Sequence, residues 1–243
     1  MKQRRTTDKG FTIIEVMLFL AISGLMMTGV LVIVSGSIER QRYNDVVYST
    51  IDYLKGQYNS TANTHNNRSS DITCSGGKVQ QVSVGTSRGT SDCYIAGRII
   101  RSDGSTLVSR PILAQKDITS PDISSATTEK GVLGHMGLLV DSLTDEELYR
   151  MGYETHLTKP GDAGTKLPFS MVVVRIPTSN LLRTFLKTGS NAYTVQEIID
   201  ESADSVLCVA SQGLIRSGNN GISISTGVSG ATAVEFAETE QCK

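Results

Sequence analysis

One carboxylate sits where a charge is costly. Glu15 is the only charged residue in the 24-residue run 11–34, FTIIEVMLFLAISGLMMTGVLVIV. A charge inside a membrane span costs about 2.5–3.5 kcal/mol on insertion scales, and less near the interface. The chemistry open to it is ionic, so it needs a cation. No Lys, Arg or His lies within the run. A cut after Gly10 would create one, the free α-amine of Phe11. That amine stands at i relative to Glu15 at i+4, one helical turn away. It could equally reach Glu15 of a neighbouring chain. Such a cut leaves the whole apolar helix on the mature chain, as an assembly element as well as an anchor.

Other residue patterns match catalytic motifs in part. Gly85-Thr-Ser87-Arg-Gly89 matches Gly-x-Ser-x-Gly. That nucleophile elbow needs a strand before it and a helix after it. Here the sequence runs on into a strand. Ser75-Gly-Gly-Lys78 and Lys187-Thr-Gly189 match two motifs of penicillin-recognising serine enzymes. The glycines beside Cys74 argue for a loop rather than the helix start such a serine needs. His65, His135 and His156 are scattered and read as surface or satisfied residues. Asp145, Glu146 and Glu147 read as a solvated helix start. No enzyme is expected, and a membrane-anchored hydrolase using Ser87 or Ser75 is the weaker rival.

Four cysteines, Cys74, Cys93, Cys208 and Cys242, fall in the C-terminal part. An even count outside the cytoplasm argues for two disulfides, with three connectivities open. Pairing of neighbours, Cys74–Cys93 and Cys208–Cys242, is favoured because each bond then staples a local loop. On the chain-entropy model each contributes about 3–4 kcal/mol. There is no Cys-x-x-Cys, and no histidine shares a local motif with a cysteine, so neither a metal nor a cofactor is expected.

The flanks orient the apolar run. Residues 1–10, MKQRRTTDKG, place Lys2, Arg4, Arg5 and Lys9 against Asp8. This basic flank stays cytoplasmic by the positive-inside bias, which puts the bulk of the chain outside. As a helix the run spans about 36 Å, against a hydrocarbon core of roughly 30 Å. A secretory signal peptide would have a shorter apolar region and a small-residue cleavage site. Lys9-Gly10-Phe11-Thr12-Ile13-Ile14-Glu15 resembles the class III leader junction of type IV prepilins and type II secretion pseudopilins. The resemblance covers roughly residues 1–60. It implies cleavage after Gly10 by a prepilin peptidase, N-methylation of Phe11, and pairing of Glu15 with the N-terminus of an adjacent subunit. It also implies other pilin subunits and an inner-membrane assembly platform as partners, with the lipid bilayer holding the precursor. A C-terminal disulfide loop is common in pilin heads. Many members of the family carry a proline where this chain has Val32.

The elements that would position these residues follow from periodicity. After residue 34, Ile38, Val47, Ile51, Leu54 and Tyr58 recur at helical spacing, with Tyr43 and Val46 beside them. One helix of about 48 residues is expected, half apolar and half amphipathic. Gly24, Thr28, Gly29 and Gly36 are weak helix formers within it. They allow either a stretch that unwinds or packs closely, or merely the ordinary glycine content of membrane helices. The remainder reads as a β-rich head. A strand is expected at 79–84. Strands at 94–101 and 106–114 flank an Asp-Gly turn. A capped helix is expected from Thr144, a buried strand at 171–176, and short helices at 179–187 and 194–201. Further strands are expected at 206–210, 213–216 and 222–226, with a turn at 219–221.

The expected class is therefore α+β, a long N-terminal helix packed on an antiparallel sheet with short extra helices. The expected divisions are a leader at 1–10, a membrane or filament-core helix at 11–34, its amphipathic continuation at 35–58, and a head at 59–243. Of the 243 residues, 39% are hydrophobic and none is Trp. The leader carries +3 and the rest −4, which gives the net charge of −1. That balance argues against nucleic acid as the dominant partner of the head. The leading expectation is a structural filament subunit, minor given its size, of a type IV pilus serving adhesion or twitching motility. The alternatives are a pseudopilin of a secretion or DNA-uptake system and a tip adhesin whose head binds a surface ligand.

Overall fold

The computed structural model describes residues 12–63, 72–75, 77–81, 93–116, 119–144, 146–162, 164–212, 220–237 and 239–242. The leader charges, Gly10, Phe11, His65, the Gly85–Gly89 motif and the expected strand at 213–216 lie outside them.

Helix α1 runs unbroken from Ile13 to Ala62, through Gly24, Thr28, Gly29, Val32 and Gly36. It extends past the expected end at Tyr58. Its last carbonyls are held by the Arg175 guanidinium, which donates to Thr61 O at 3.3 Å and Ala62 O at 2.6 Å. The head contains strands β1 (Ile72–Ser75), β2 (Lys78–Gln81), β3 (Tyr94–Ser102), β4 (Thr106–Ala114), β5 (Leu138–Val140), β6 (Glu147–Arg150), β7 (Thr155–Thr158), β8 (Phe169–Arg175), β9 (Leu182–Thr188), β10 (Ser205–Ser211), β11 (Gly221–Ile224) and β12 (Val234–Ala237). Short helices α2 (Pro121–Ser125), α3 (Glu129–His135) and α4 (Val195–Asp200) lie between them. Every strand pairing among the described residues is antiparallel.

The larger sheet has the order β5-β4-β3-β8-β9, with β6 also pairing β4; the smaller has the order β12-β11-β10-β7. Both sheets turn a face to α1. Ile100, Leu107, Phe169, Met171, Val173 and Leu186 of the larger sheet join Leu157, Leu207, Val209, Ile222, Ile224 and Val234 around the helix. The opposite face of the larger sheet is covered as well. Ile99, Ile112, Val172, Val174 and Phe185 pack there against Ile123, Leu133, Ile198 and Ile199 of the short helices. Cover on both faces explains why β8 reads FSMVVVR, a nearly continuous apolar run rather than an alternating one.

The Asp-Gly hairpin forms as its sequence dictates. Gly104 takes φ +97°, and Asp103 Oδ1 accepts from the backbone N–H groups of Ser105 and Thr106 at 2.8 and 2.7 Å. The capping-box helix at Thr194 forms too, as α4. Two expected helices are strands instead. Residues 182–188 lie in β9, where Phe185 faces the short helices while Thr184 and Leu186 face α1. The apolar spacing fits either period, and pairing with β8 decides it. Residues 147–150 lie in β6 rather than a helix begun at Thr144. Asp141 accepts from the N–H groups of Leu143 and Thr144 and from the Thr144 hydroxyl, which closes a turn in place of a helix cap. Glu146 and Glu147 bind Arg110 at 2.6 Å and Arg98 at 3.1 Å. Ile38, expected on the packed stripe, is 43% exposed.

The disulfides join Cys74 to Cys93 and Cys208 to Cys242. The second lies against β11, where a Cβ on Gly221 would stand 2.6 Å from Cys242 Sγ and from Leu207 O. Only glycine lets the bond and the strand share that space.

Tyr43 begins the buried stripe of α1 and hydrogen-bonds the head. Its hydroxyl donates to Val209 O at 2.8 Å and accepts from Asn220 N–H at 2.9 Å. Burial pushes this hydroxyl up to about 12, against a smaller opposing effect of its hydrogen bond with the Asn220 backbone. An unfolded tyrosine ionises near 10. The folded state therefore holds the proton more tightly. The stability linked to it is complete below pH about 10 and is lost as pH rises toward 12. Tyr43→Phe should cost about 1–3 kcal/mol at neutral pH, because buried backbone partners lose their bonds. It should also flatten the alkaline loss. Denaturant titrations of the detergent-solubilised chain across pH check both, with Ile38→Ala expected to change stability by less than about 0.5 kcal/mol.

Candidate assembly site at the start of the long helix

Thr12 caps α1 in extended geometry, with its hydroxyl accepting from Glu15 N–H at 3.2 Å. Glu15 reaches back. Its Oε2 accepts from Thr12 N–H at 3.1 Å and from the Thr12 hydroxyl at 3.1 Å. The two residues form a reciprocal capping box, which the Thr-x-x-Glu spacing encodes. The sequence reading used Glu15 for its charge and overlooked this partner. The box leaves the carboxylate at the first turn, where the helix dipole also favours a negative charge. Phe11 lies outside the described residues.

From Ile13 to Val34 the helix has nothing to pack on. Ile13 is 78% exposed and Leu25 76%, and the most apolar 18-residue window, with mean hydropathy 2.5, has no buried residue. Gly24 and Gly29 have no atom within contact of a would-be Cβ. From Tyr43 onward one stripe turns inward: Tyr43, Val47, Thr50, Leu54, Gln57 and Thr61 follow strict three-four spacing and are buried. The helix is thus apolar and bare from Ile13 to Val34, and mixed in composition where it is covered.

The covered half is fastened by polar side chains as well as by burial. Ser109 donates to Gln57 Oε1 at 2.7 Å and accepts from Arg98 Nε at 2.9 Å, and Gln57 Nε2 donates to Glu147 at 3.3 Å. Tyr58 and Thr184 share a hydrogen bond of 2.7 Å, and Ser49 and Tyr149 one of 2.8 Å. The contacts between helix and head were illegible in the sequence because their partners lie 52 to 126 positions apart.

The remaining motifs are not brought together for catalysis. Ser75 and Lys78 face each other at the end of the β1–β2 hairpin, away from any helix start. Lys187 lies on β9, paired with Glu201 at 2.9 Å and seated over the Tyr193 ring. His135 ends α3 on the surface. His156, expected to be exposed or satisfied, is buried on β7 with no hydrogen-bond partner at Nε2. No group of three or more potential metal ligands exists among the described residues.

Residues 5–31 match the model for the prokaryotic N-terminal methylation motif. The chain carries a class III prepilin leader. That motif is typical of type IV pilins and pseudopilins, and with the long helix on antiparallel sheets it makes this a pilin-like subunit. Comparison with curated proteins and with solved structures finds no significant match. The motif implies processing by a prepilin peptidase and assembly with pilins, and with the bare apolar helix it points to a membrane-anchored precursor of an extracellular filament. In this pilin-like chain Thr12 shares the motif's polar start with Glu15. Thr12→Val should remove the two hydroxyl bonds of the box, leaving the bond from the residue-12 N–H to Glu15, and speed amide exchange at the first helical turn by about fivefold to tenfold, as expected for a lost cap. Thr12→Ser should keep exchange near the native rate.

Proposed function

We propose that this chain is a minor structural subunit of a type IV pilus or a closely related filament. It is made as a membrane precursor with a cytoplasmic leader, cut after Gly10 and methylated at Phe11. The observation that supports this most is the overlap of the methylation motif with a helix half that the head leaves entirely bare. An apolar stripe of that length needs lipid before assembly and other helices after it. Residues 11–34 supply both contacts in turn, and the head, beginning near residue 59, forms the exposed surface. The leader charges Lys2, Arg4, Arg5 and Lys9 set the orientation.

Glu15 selects partners in this reading. Within one chain its carboxylate is held by Thr12. An α-amine of a neighbouring processed subunit adds a full opposite charge, and in a low-dielectric filament core such a pair is worth far more than in water. A subunit that docks without that pair leaves a buried charge uncompensated, which costs about 3–5 kcal/mol. The charge therefore enforces axial register.

The test is expression with a complete assembly machinery. Gly10→Val should accumulate as the full-length precursor. Glu15→Val should be processed normally yet be missing from sheared filaments. Maturation of the Gly10 variant to the shorter form, or normal incorporation of the Glu15 variant, would refute the respective role.

A further inference from the structure

The head approaches the apolar half of α1 at a strained turn. Tyr153 and Glu154 take φ of 53° and 54°, and Thr155 N–H donates to Gly152 O at 3.1 Å. This is the pattern of a type I′ turn, which ordinarily carries Asn-Gly because both central residues are left-handed. Here a tyrosine and a glutamate occupy them. The surroundings enforce it: Ser211 Oγ donates to Tyr153 O at 3.3 Å and Gln212 N–H to Glu154 O at 3.4 Å. The turn presents the Tyr153 ring outward at 48% exposure, against the Arg42 guanidinium, whose Cζ lies 5.3 Å from the ring centroid. Strain maintained to expose an aromatic side chain is a reason to look for what that side chain touches.

The position along the helix indicates the partner. Arg42 follows Val34 by eight residues, about 12 Å of helix. Side chains on a helix lean toward its N-terminus, which brings the guanidinium and the ring beside it closer to the span. Headgroup layers occupy roughly 5–8 Å on each side of the hydrocarbon core. A tyrosine and a long-stemmed cation at that level are the side chains that settle at a lipid interface. Tyr48 provides the contrast. It is 53% exposed and stacks on Phe236 with centroids 5.8 Å apart, yet it stands about 21 Å beyond Val34.

We propose that Tyr153 and Arg42 form a contact site for phospholipid headgroups, through which the head rests on the leaflet from which α1 emerges. The inference rests on the reading of residues 11–34 as a membrane span. The guanidinium meets the lipid phosphate and the ring beside it lies among the headgroups. Arg40 and Arg42 are balanced nearby by Glu39 and Asp45, so zwitterionic lipid is sufficient. The contact fixes the tilt and rotation of the head in the membrane-held precursor.

The chain contains no Trp, so a single introduced indole is an unambiguous reporter. Full-length Tyr153→Trp, Tyr48→Trp and Phe19→Trp variants are placed in phosphatidylcholine nanodiscs containing lipids with nitroxides at the headgroup or in the acyl chain. The acyl-chain nitroxide should quench the Phe19→Trp indole. The headgroup nitroxide should quench the Tyr153→Trp indole several-fold more than the Tyr48→Trp indole. Glu154→Trp, which keeps Tyr153 and Arg42 in place, should report the same contact even if the first substitution disturbs the turn. Quenching at position 19 with none at 153 or 154 would overturn the headgroup contact and leave the span intact. No quenching at position 19 would overturn both. Shielding at 153 that grows with the number of chains per disc, without headgroup quenching, would assign the surface to another subunit and overturn the lipid contact.

Discussion

A single helix serves two environments, and the rest of the molecule follows from where it changes between them. At 50 residues α1 is about 75 Å long, far more than a head of this size can cover. The buried seat on the head begins at Tyr43, just after the Arg42 contact with Tyr153, and residues 13–34 are left to lipid or to other helices. The junction is set by sequence. Up to Val34 the helix offers apolar side chains on every face; residues 35–42 are mostly polar; from Tyr43 onward only one stripe is buried and the opposite side is polar. A helix apolar all round cannot remain bare in water. A helix with one such stripe has a preferred face and can be seated on a sheet.

The seat is made of two sheets. Residues of the larger sheet and of the smaller one meet the same helix stripe, so α1 closes a core that neither sheet closes alone. Hydrogen bonds from Tyr43, Gln57 and Tyr58 fix the helix in rotation and register, because a slip of one residue would bury their polar atoms without partners. That rigidity holds the exposed half of the helix at a fixed angle to the head. The disulfides act at the periphery. They secure the β1–β2 hairpin to the start of β3, and the C-terminal turn to β10.

Features governed by local chemistry were legible in the sequence. The leader junction, the long helix, the Asp-Gly hairpin and the Thr194 capping box each depend on residues within a few positions of one another. The features that escaped depend on distant partners. Residues 182–188 have an apolar spacing that suits a helix, but β8 offers an open edge and takes them as a strand. The acids at 146 and 147 suit a helix start, but Arg110 and Arg98 on the neighbouring strands draw them into a sheet. Ile38 has the right period but falls below the point where the head begins. At the assembly site the reverse error occurred. The Thr12–Glu15 box is a purely local signal, and attention to the charge of Glu15 hid its role as a cap.

The central claim is that the bare helix stays on the mature chain as an assembly element. Mass spectrometry of the N-terminal peptide, recovered from the mature protein in cells with their own processing machinery, tests it most directly. The account predicts a chain that begins at N-methylated Phe11 and retains residues 11–34. A mature chain that begins downstream of the apolar run would show that the run is a discarded signal peptide, and would contradict it.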